Sequence, residues 1–397
     1  MEKPAIIGGT PIRENKLFYG RQCIEQDDID AVVATLKSDL ITCGPQVTAV
    51  EEKLCKITHA KYAVVVANGT AALHLAAMAA GIKEGDEVIV SPITFAASAN
   101  CVLYCGGTPV FADINPETYN ISPDSIRKCI TEKTKAVVAV DFTGQAVELD
   151  EIRAICKEHN LILIEDAAHS IGTLYNGQPV GSIADMTCFS FHPVKTVTGG
   201  EGGAITTNDE TIYRKLMRLR THGITRNIDE MVNPSDAMWY NEQVELGYNY
   251  RMTDFQAALL GSQLNKLPRF SKRRKEIVAA YDKAFSEIPE LFVQREIPES
   301  DTTRHLYILR LNLDKLTCTR REFFDALYAE NTCPQVHYLP VYWHSYYEKL
   351  GYEKGICPHA EKLYDEIMSI PLYPSMTDAD IQDVINAVKK LVNYYKK

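Results

Sequence analysis

One lysine sits in a setting that favours reactivity. Lys195 lies in the run Cys188-Phe-Ser-Phe-His-Pro-Val-Lys-Thr-Val-Thr-Gly-Gly-Glu-Gly-Gly-Ala-Ile205, between a strand-like segment (186–191) and a second one (204–207). Burial beside another cation would disfavour its ammonium form. A neutral amine condenses with an aldehyde. A lone loop lysine can equally face solvent. The glycines suit a hairpin as well as a backbone that passes close to a ligand. Ser190 closes the first strand, and its hydroxyl could donate to a phosphate.

Two other strand ends carry polar groups of the right type. Glu165-Asp166-Ala-Ala-His169 follows the apolar Leu161–Ile164. Carboxylates buried after a strand need a cationic partner. Asp166 could pair with a protonated ring nitrogen or simply cap a helix, and His169 follows one helical turn on. Asn68-Gly69-Thr70-Ala-Ala stands between a strand and a helix. Free N–H groups at a helix start can cradle a phosphate. Gly69 would admit it closely and the Thr70 hydroxyl could donate, although a tight turn with a cap reads the same way. Together, a phosphate cradle, an acid at a strand end and a lysine on a strand-to-strand loop fit pyridoxal 5′-phosphate. The aldehyde needs Lys195, the pyridine nitrogen Asp166, and the phosphate Gly69, Thr70 and Ser190.

These residues need a scaffold that brings strand ends together. Tyr62–Val66, Glu87–Val90, Lys135–Val140 and Leu161–Ile164 are apolar throughout, the pattern of strands covered on both faces. Helical spacing over 70–80 and 149–159 alternates with them, which predicts an α/β fold with right-handed crossovers. In such sheets ligands lie beyond the carboxyl ends of the strands. After about residue 250 the texture changes. Thr253 caps an expected helix to Lys266, and Pro268 starts another through Ile288, with Lys272-Arg-Arg-Lys275 as a solvated face. Residues 289–304 read as loop. Strands at 306–313 and 335–339, a helix from Thr319 and a last helix after Thr377 suggest a smaller α/β unit.

Composition bounds the alternatives. The chain has 397 residues with a formal charge of −10, which disfavours a nucleic-acid surface. No apolar run approaches the roughly 20 residues of a membrane helix. No basic-then-apolar leader is visible, and eleven scattered cysteines without a CxxC pair suit reduced thiols, so a cytoplasmic enzyme is expected. No metal site is expected. The chain lacks GxGxxG and GxxxxGK, which weakens dinucleotide and P-loop readings.

The sequence resembles the DegT/DnrJ/EryC1/StrS family of nucleotide-sugar aminotransferases over nearly its whole length. The segments that carry the likeness are NGTAALHLA (68–76), SPITFAASAN (91–100), EDAAHSIG (165–172), SFHPVKTVTGGEGG (190–203), LRTHGI (219–224), GYNYRMTDFQAALL (247–260) and VHYLPVYWH (336–344). The resemblance implies the fold type I (aspartate aminotransferase-like) architecture of pyridoxal-phosphate enzymes. That is a large domain (1–252) with a mainly parallel seven-stranded sheet and an N-terminal arm, then linking helices and a small α/β domain (253–397). It also implies roles. Lys195 matches the Schiff-base lysine, Asp166 the acid on the pyridine nitrogen, and Gly69, Thr70 and Ser190 the phosphate ligands. Phe95 matches the stacking aromatic, where a core phenylalanine is the plainer reading. His169 stands where glutamine is common, beside the phenolic oxygen. Asn249 matches a residue that reaches the neighbouring subunit's phosphate, which implies a homodimer with shared active sites. Tyr19, Arg21, His337 and Tyr338 match segments that approach the nucleotide sugar, and His222 and Arg251 could hold anionic groups.

FYGRQCIEQDDI (18–29), the His-Pro-Val-Lys loop and LRTHGITRN (219–227) are most similar to members acting in pseudaminic acid synthesis. That likeness implies transfer from L-glutamate to the C4 keto group of a UDP-4-keto-6-deoxy-N-acetyl sugar. Other 3- or 4-keto nucleotide sugars, or a regulatory protein that kept the fold without catalysis, are the alternatives. A related dehydratase would carry histidine in place of Lys195.

Overall fold

The computed structural model describes residues 2–397. Its centre is a seven-stranded sheet. In chain order the strands are β1 (Tyr62–Val66), β2 (Glu87–Val90), β3 (Thr108–Phe111), β4 (Thr134–Val140), β5 (Ile162–Asp166), β6 (Met186–Ser190) and β7 (Gly203–Thr207). They lie in the order β1-β7-β6-β5-β4-β2-β3. Only β7 runs antiparallel to its neighbours. The expected α/β architecture with a mainly parallel sheet is therefore what the chain builds.

Side chains alternate between two apolar layers, as strand geometry requires. Val64, Val66, Val88, Val90, Ala136, Val138 and Ile164 enter one core. Ala63, Val65, Ile89, Val137, Ala139 and Leu163 enter the other. Both faces are covered, which explains why these strands show no polar alternation in the sequence.

Helices α1 (Gly69–Ala79) and α2 (Ala97–Tyr104) contribute to the first core. Asn68 caps α1 by accepting a bond from Ala71 N at 2.8 Å. Later, α3 (Asp254–Asn265) starts with the Thr253 capping box, and α4 (Leu267–Phe285) follows with its proline in the first turn. A three-stranded sheet of β8 (Leu291–Phe292), β9 (Tyr307–Leu311) and β10 (Ile367–Ile370) packs with α4 and α5 (Asp378–Tyr395) around a third core. The N-terminal segment joins this part, because Leu17–Phe18 pairs in parallel with Thr332–Cys333.

Three expectations fail here. Residues 335–339 do not form a strand; Gln335 makes one isolated bridge to Ser369, and β10 fills the third place in the small sheet. Residues 289–304 are not all loop, since they contain β8 and the pair Ser300–Asp301. Arg274, expected on a solvated face, is fully buried, and its Nη1 donates to the carbonyls of Arg304, His305 and Leu372. Charge composition misleads there because carbonyls, rather than solvent or a carboxylate, meet the guanidinium at Nη1.

Candidate active site

The strand ends converge on one cavity of about 440 Å³. Its wall includes Asn68, Gly69 and Thr70 after β1, Asp166 at the end of β5, Ser190 at the end of β6, and Lys195 on the following loop. The register sets this grouping. Asp166 lies opposite Val140 and Cys188, and Gly203 lies opposite both Ser190 and Val66.

Two close approaches shape one corner of the cavity. A Cβ added at Gly69 would stand 2.8 Å from Ser190 Cβ. One at Gly203 would stand 2.3 Å from the carbonyl oxygen of Asn68. Any side chain at Gly203 would push the β1–α1 turn away. Because Asn68 caps α1, Thr70 is left to face the cavity beside the first N–H groups of the helix. This corner combines donors with the positive end of a helix, which suits an anion.

The lysine loop is wound back on its own strand. Phe191 N donates to Gly202 O at 2.8 Å, while Gly199 N and Thr198 Oγ1 donate to Phe191 O at 3.0 Å each. Gly200 takes a left-handed φ of 80° that the turn demands. Lys195 is thereby aimed into the cavity wall, and burial pushes its pKa down to about 8, partly opposed by the charge of Asp166.

Asp166 is also buried, and desolvation holds its pKa above the usual carboxylate range. Ser98 Oγ, donating at 2.6 Å, Ala168 N, donating at 3.2 Å, and the Lys195 charge oppose that rise. A cation seated against the carboxylate would favour its charged form further.

A neutral aromatic group completes the pocket. His169 Nε2 lies 3.3 Å from Tyr338 Oη, and its ring stands 4.5 Å from that of His305. The His169 Nδ1 and His305 Nδ1 atoms are buried without partners among the described residues. Burial lowers the pKa of His169 and His305 well below normal and takes His337 to about 3, so all three are neutral at pH 7. Phe95 lines the cavity and is 63% exposed, so it is not the core residue that its apolar surroundings suggested.

Residues 22–389 match the DegT/DnrJ/EryC1/StrS aminotransferase family. The chain belongs to that family. It is a pyridoxal-phosphate-dependent sugar aminotransferase. SpsC of Bacillus subtilis, a spore coat polysaccharide biosynthesis protein, is 42% identical over 96% of this chain and 98% of its own length. A Campylobacter jejuni UDP-4-amino-4,6-dideoxy-N-acetyl-β-L-altrosamine transaminase is 37% identical over 96% of this chain and 99% of its own. Among solved structures, PseC of Helicobacter pylori, an aminotransferase of pseudaminic acid biosynthesis, superposes with a TM-score of 0.89 at 30% identity, covering 96% of this chain and all of that one. Spr1654 of Streptococcus pneumoniae, named a sugar aminotransferase and solved in its PLP form, gives a TM-score of 0.88 at 29% identity, covering 96% and 99%.

Of the residues expected at the site, the structure brings Gly69, Thr70, Phe95, Asp166, His169, Ser190, Lys195, Tyr19, His337 and Tyr338 to this cavity. Arg21, His222, Asn249 and Arg251 do not line it. Sequence reading missed Ser98, which lies inside the quoted 91–100 segment and could have been found there. It also missed His305, which arrives from a distant irregular segment with no local pattern to flag it.

Proposed function

We propose that this enzyme moves an amino group from L-glutamate to the C4 keto carbon of a UDP-4-keto-6-deoxy-N-acetyl sugar. The observation that carries the transamination reading is one cavity holding a half-buried lysine pushed toward its neutral form, a buried carboxylate and a helix N-terminus with two hydroxyls. The sugar class is supported by the Campylobacter relative and by PseC.

The pocket residues fit the cofactor. The start of α1 with Gly69 and Thr70, together with the Ser190 hydroxyl, would hold its phosphate. Phe95 would cover one ring face, and His169 would sit beside the phenolic oxygen, with its orphan Nδ1 available as donor or acceptor. When bound, pyridoxal phosphate supplies an aldehyde carbon that carries the amino group and a ring that accepts an electron pair.

The chain's own residues then do the following. Asp166 holds a proton at the ring nitrogen, which makes the ring a better electron acceptor. Lys195 Nζ, as a neutral amine, takes the α-proton of the donor and gives it up at the other end of the transfer. The same atom runs the shift in reverse when the keto sugar enters, so ping-pong kinetics are expected. Tyr19, His337 and Tyr338 form the wall where the sugar would rest. Three neutral histidines keep that wall polar without adding charge.

We also infer a homodimer with shared sites and a division of the chain near residue 252. Asn249 is exposed and lies outside its own chain's cavity, which supports a role toward a partner's phosphate. Arg21 would approach the nucleotide sugar, and His222 and Arg251 would hold anionic groups. The eleven unpaired cysteines support a reducing, cytoplasmic setting. No helix among the described residues is long and apolar enough to cross a membrane.

A second substrate reading is another 3- or 4-keto nucleotide sugar, since SpsC, at greater identity than the Campylobacter relative, is named for polysaccharide biosynthesis and not for that substrate. One experiment separates them: incubate the loaded protein and glutamate with a panel of 3-keto and 4-keto nucleotide sugars and follow amine gain by mass spectrometry. Amination of the UDP-4-keto-6-deoxy-N-acetyl sugar is expected. Turnover of a different sugar alone would overturn the substrate, and no turnover at all would overturn the reaction.

A further inference from the structure

Asp166 is held from two directions. Ala168 N donates to its Oδ1 at 3.2 Å, and Ser98 Oγ donates to its Oδ2 at 2.6 Å. Ser98 stands in the first turn of α2, and its oxygen is 2.7 Å from Thr94 Oγ1. Both hydroxyls are buried, Ser98 at 1% and Thr94 at 4% exposure. A hydroxyl has one proton to donate, and an ionised carboxylate only accepts. The Ser98 proton therefore goes to Asp166, and the Thr94 proton goes to Ser98. The other acceptor near Ser98, the Phe95 carbonyl, is farther at 3.3 Å.

The rest of Asp166's surroundings do little to stabilise its charge. Cys101 of α2 and Cys188 of β6 are buried thiols whose ionisation is disfavoured. Glu165 is its neighbour on β5 but is directed to the opposite face by strand alternation, and it bonds Thr187 there. Tyr338 stays protonated, because burial pushes its phenol up. Lys195 is the one cation, and burial weakens it. Besides the bond from Ala168 N, the charge-assisted bond from the Ser98 hydroxyl is the remaining means of holding the carboxylate ionised.

We propose that Thr94 and Ser98 are positioning residues. They form a two-hydroxyl relay that keeps Asp166 ionised and aimed, so the shared proton stays on the cofactor's ring nitrogen rather than on the carboxylate. This inference rests on the ring-nitrogen reading of Asp166. Each donor bonded to a carboxylate lowers its proton affinity. Without Ser98, Asp166 becomes more basic and draws the proton from the ring, which then accepts electrons less well.

The test loads the enzyme with pyridoxal phosphate carrying ¹⁵N in the ring and compares Ser98→Ala, Thr94→Val, Asp166→Asn and the Ser98→Ala/Asp166→Asn double variant. The wild type should show the nitrogen shift of a protonated ring. Ser98→Ala should move that shift toward the unprotonated value, weaken cofactor binding about tenfold in an absorbance titration, and lower kcat about tenfold with little change in KM, as loss of one bond to a charged group implies. Thr94→Val, nearly isosteric, should move the same readouts less and carries the test if the alanine variant does not fold. In the Asp166→Asn background Ser98→Ala should add nothing. An unmoved ¹⁵N signal in both hydroxyl variants, or a Ser98 effect of equal size without the Asp166 charge, overturns the relay. A protonated-ring signal in Asp166→Asn overturns the reading of Asp166 itself.

Discussion

Two regions of this molecule bury charge, and they treat it in opposite ways. Far from the cavity, Glu330 at 0% exposure accepts bonds from Ala5 N and Ile12 N, each at 2.9 Å, and pairs with Lys390 at 3.0 Å. Lys390 also donates to Thr10 O at 2.7 Å. That cluster pins the N-terminal segment against α5. At the cavity, Asp166, His169 and His305 are buried and Lys195 is half-buried, their pKa values are displaced, and His169 Nδ1 and His305 Nδ1 have no partner among the described residues. Saturated polarity holds a segment in place. Open, shifted polarity costs stability and leaves groups ready to meet a ligand. The contrast says which polar groups to expect in chemistry: those with displaced pKa values that share one cavity.

The sharpest way to break that comparison is to remove one lysine from each region. Under the proposed mechanism Lys195→Ala should lower turnover by about 10⁴-fold or more, because the proposed base and cofactor anchor would be lost together. It should leave the cofactor-free protein at least as stable to urea. Lys390→Ala should do the reverse, with turnover by the folded fraction near normal. A Lys195 variant with wild-type steady-state rates would remove it from the mechanism. The structural side is sharpened by Glu330→Ala, which strands the Lys390 ammonium and should cost about 3–5 kcal/mol in urea unfolding. A cost under about 1 kcal/mol would show the cluster to be a solvated surface pair in practice.

Next in size is Asp166→Asn, which should reduce kcat by about 100-fold while the fold survives, since the isostere keeps the bond to Ala168 N but loses the charge. Near-normal turnover would count against the electron-acceptor argument.

These two regions were not equally legible in the sequence. The sheet was legible because strands apolar on both sides have few other uses, and the cavity was legible because its main groups sit directly at strand ends. Lys195, Asp166, Ser190 and Gly69 could be read that way. The Glu330 cluster joins residues more than 300 positions apart and has no local signature. Arg274 and His305 escaped for the same reason, since both are placed by packing between α4 and the segment before β9. The strand expected at 335–339 was misplaced because its apolar residues line the cavity and the core instead, while Ile367–Ile370 supplies the sheet. Among the cofactor and substrate candidates, Arg21, His222, Asn249 and Arg251 were singled out by residue type and family likeness, but neither said that they lie outside this cavity.

The smallest effect expected is also the most specific to the open region. In the cofactor-free protein the pKa of Lys195 lies near 8, below that of a free lysine, through burial. A depressed lysine pKa means the folded state binds fewer protons than the unfolded chain between about 8 and that of free lysine. Stability therefore rises with pH across that window, while below it the full penalty of the buried ammonium applies. Lys195→Met removes the penalty. Its cofactor-free form should exceed wild type by about 2 kcal/mol at pH 7, and the gap should narrow as pH climbs through 8 toward 10. The rate at which wild-type apoprotein captures pyridoxal phosphate should rise between about pH 7 and 9 with a midpoint near 8, because only the free amine reacts. Lys390→Met, which leaves the buried Glu330 without its ion-pair partner, should instead lose stability. A capture rate flat between pH 7 and 9, with no stability gain in Lys195→Met, would mean the Lys195 amine meets water and that the two regions differ only in location.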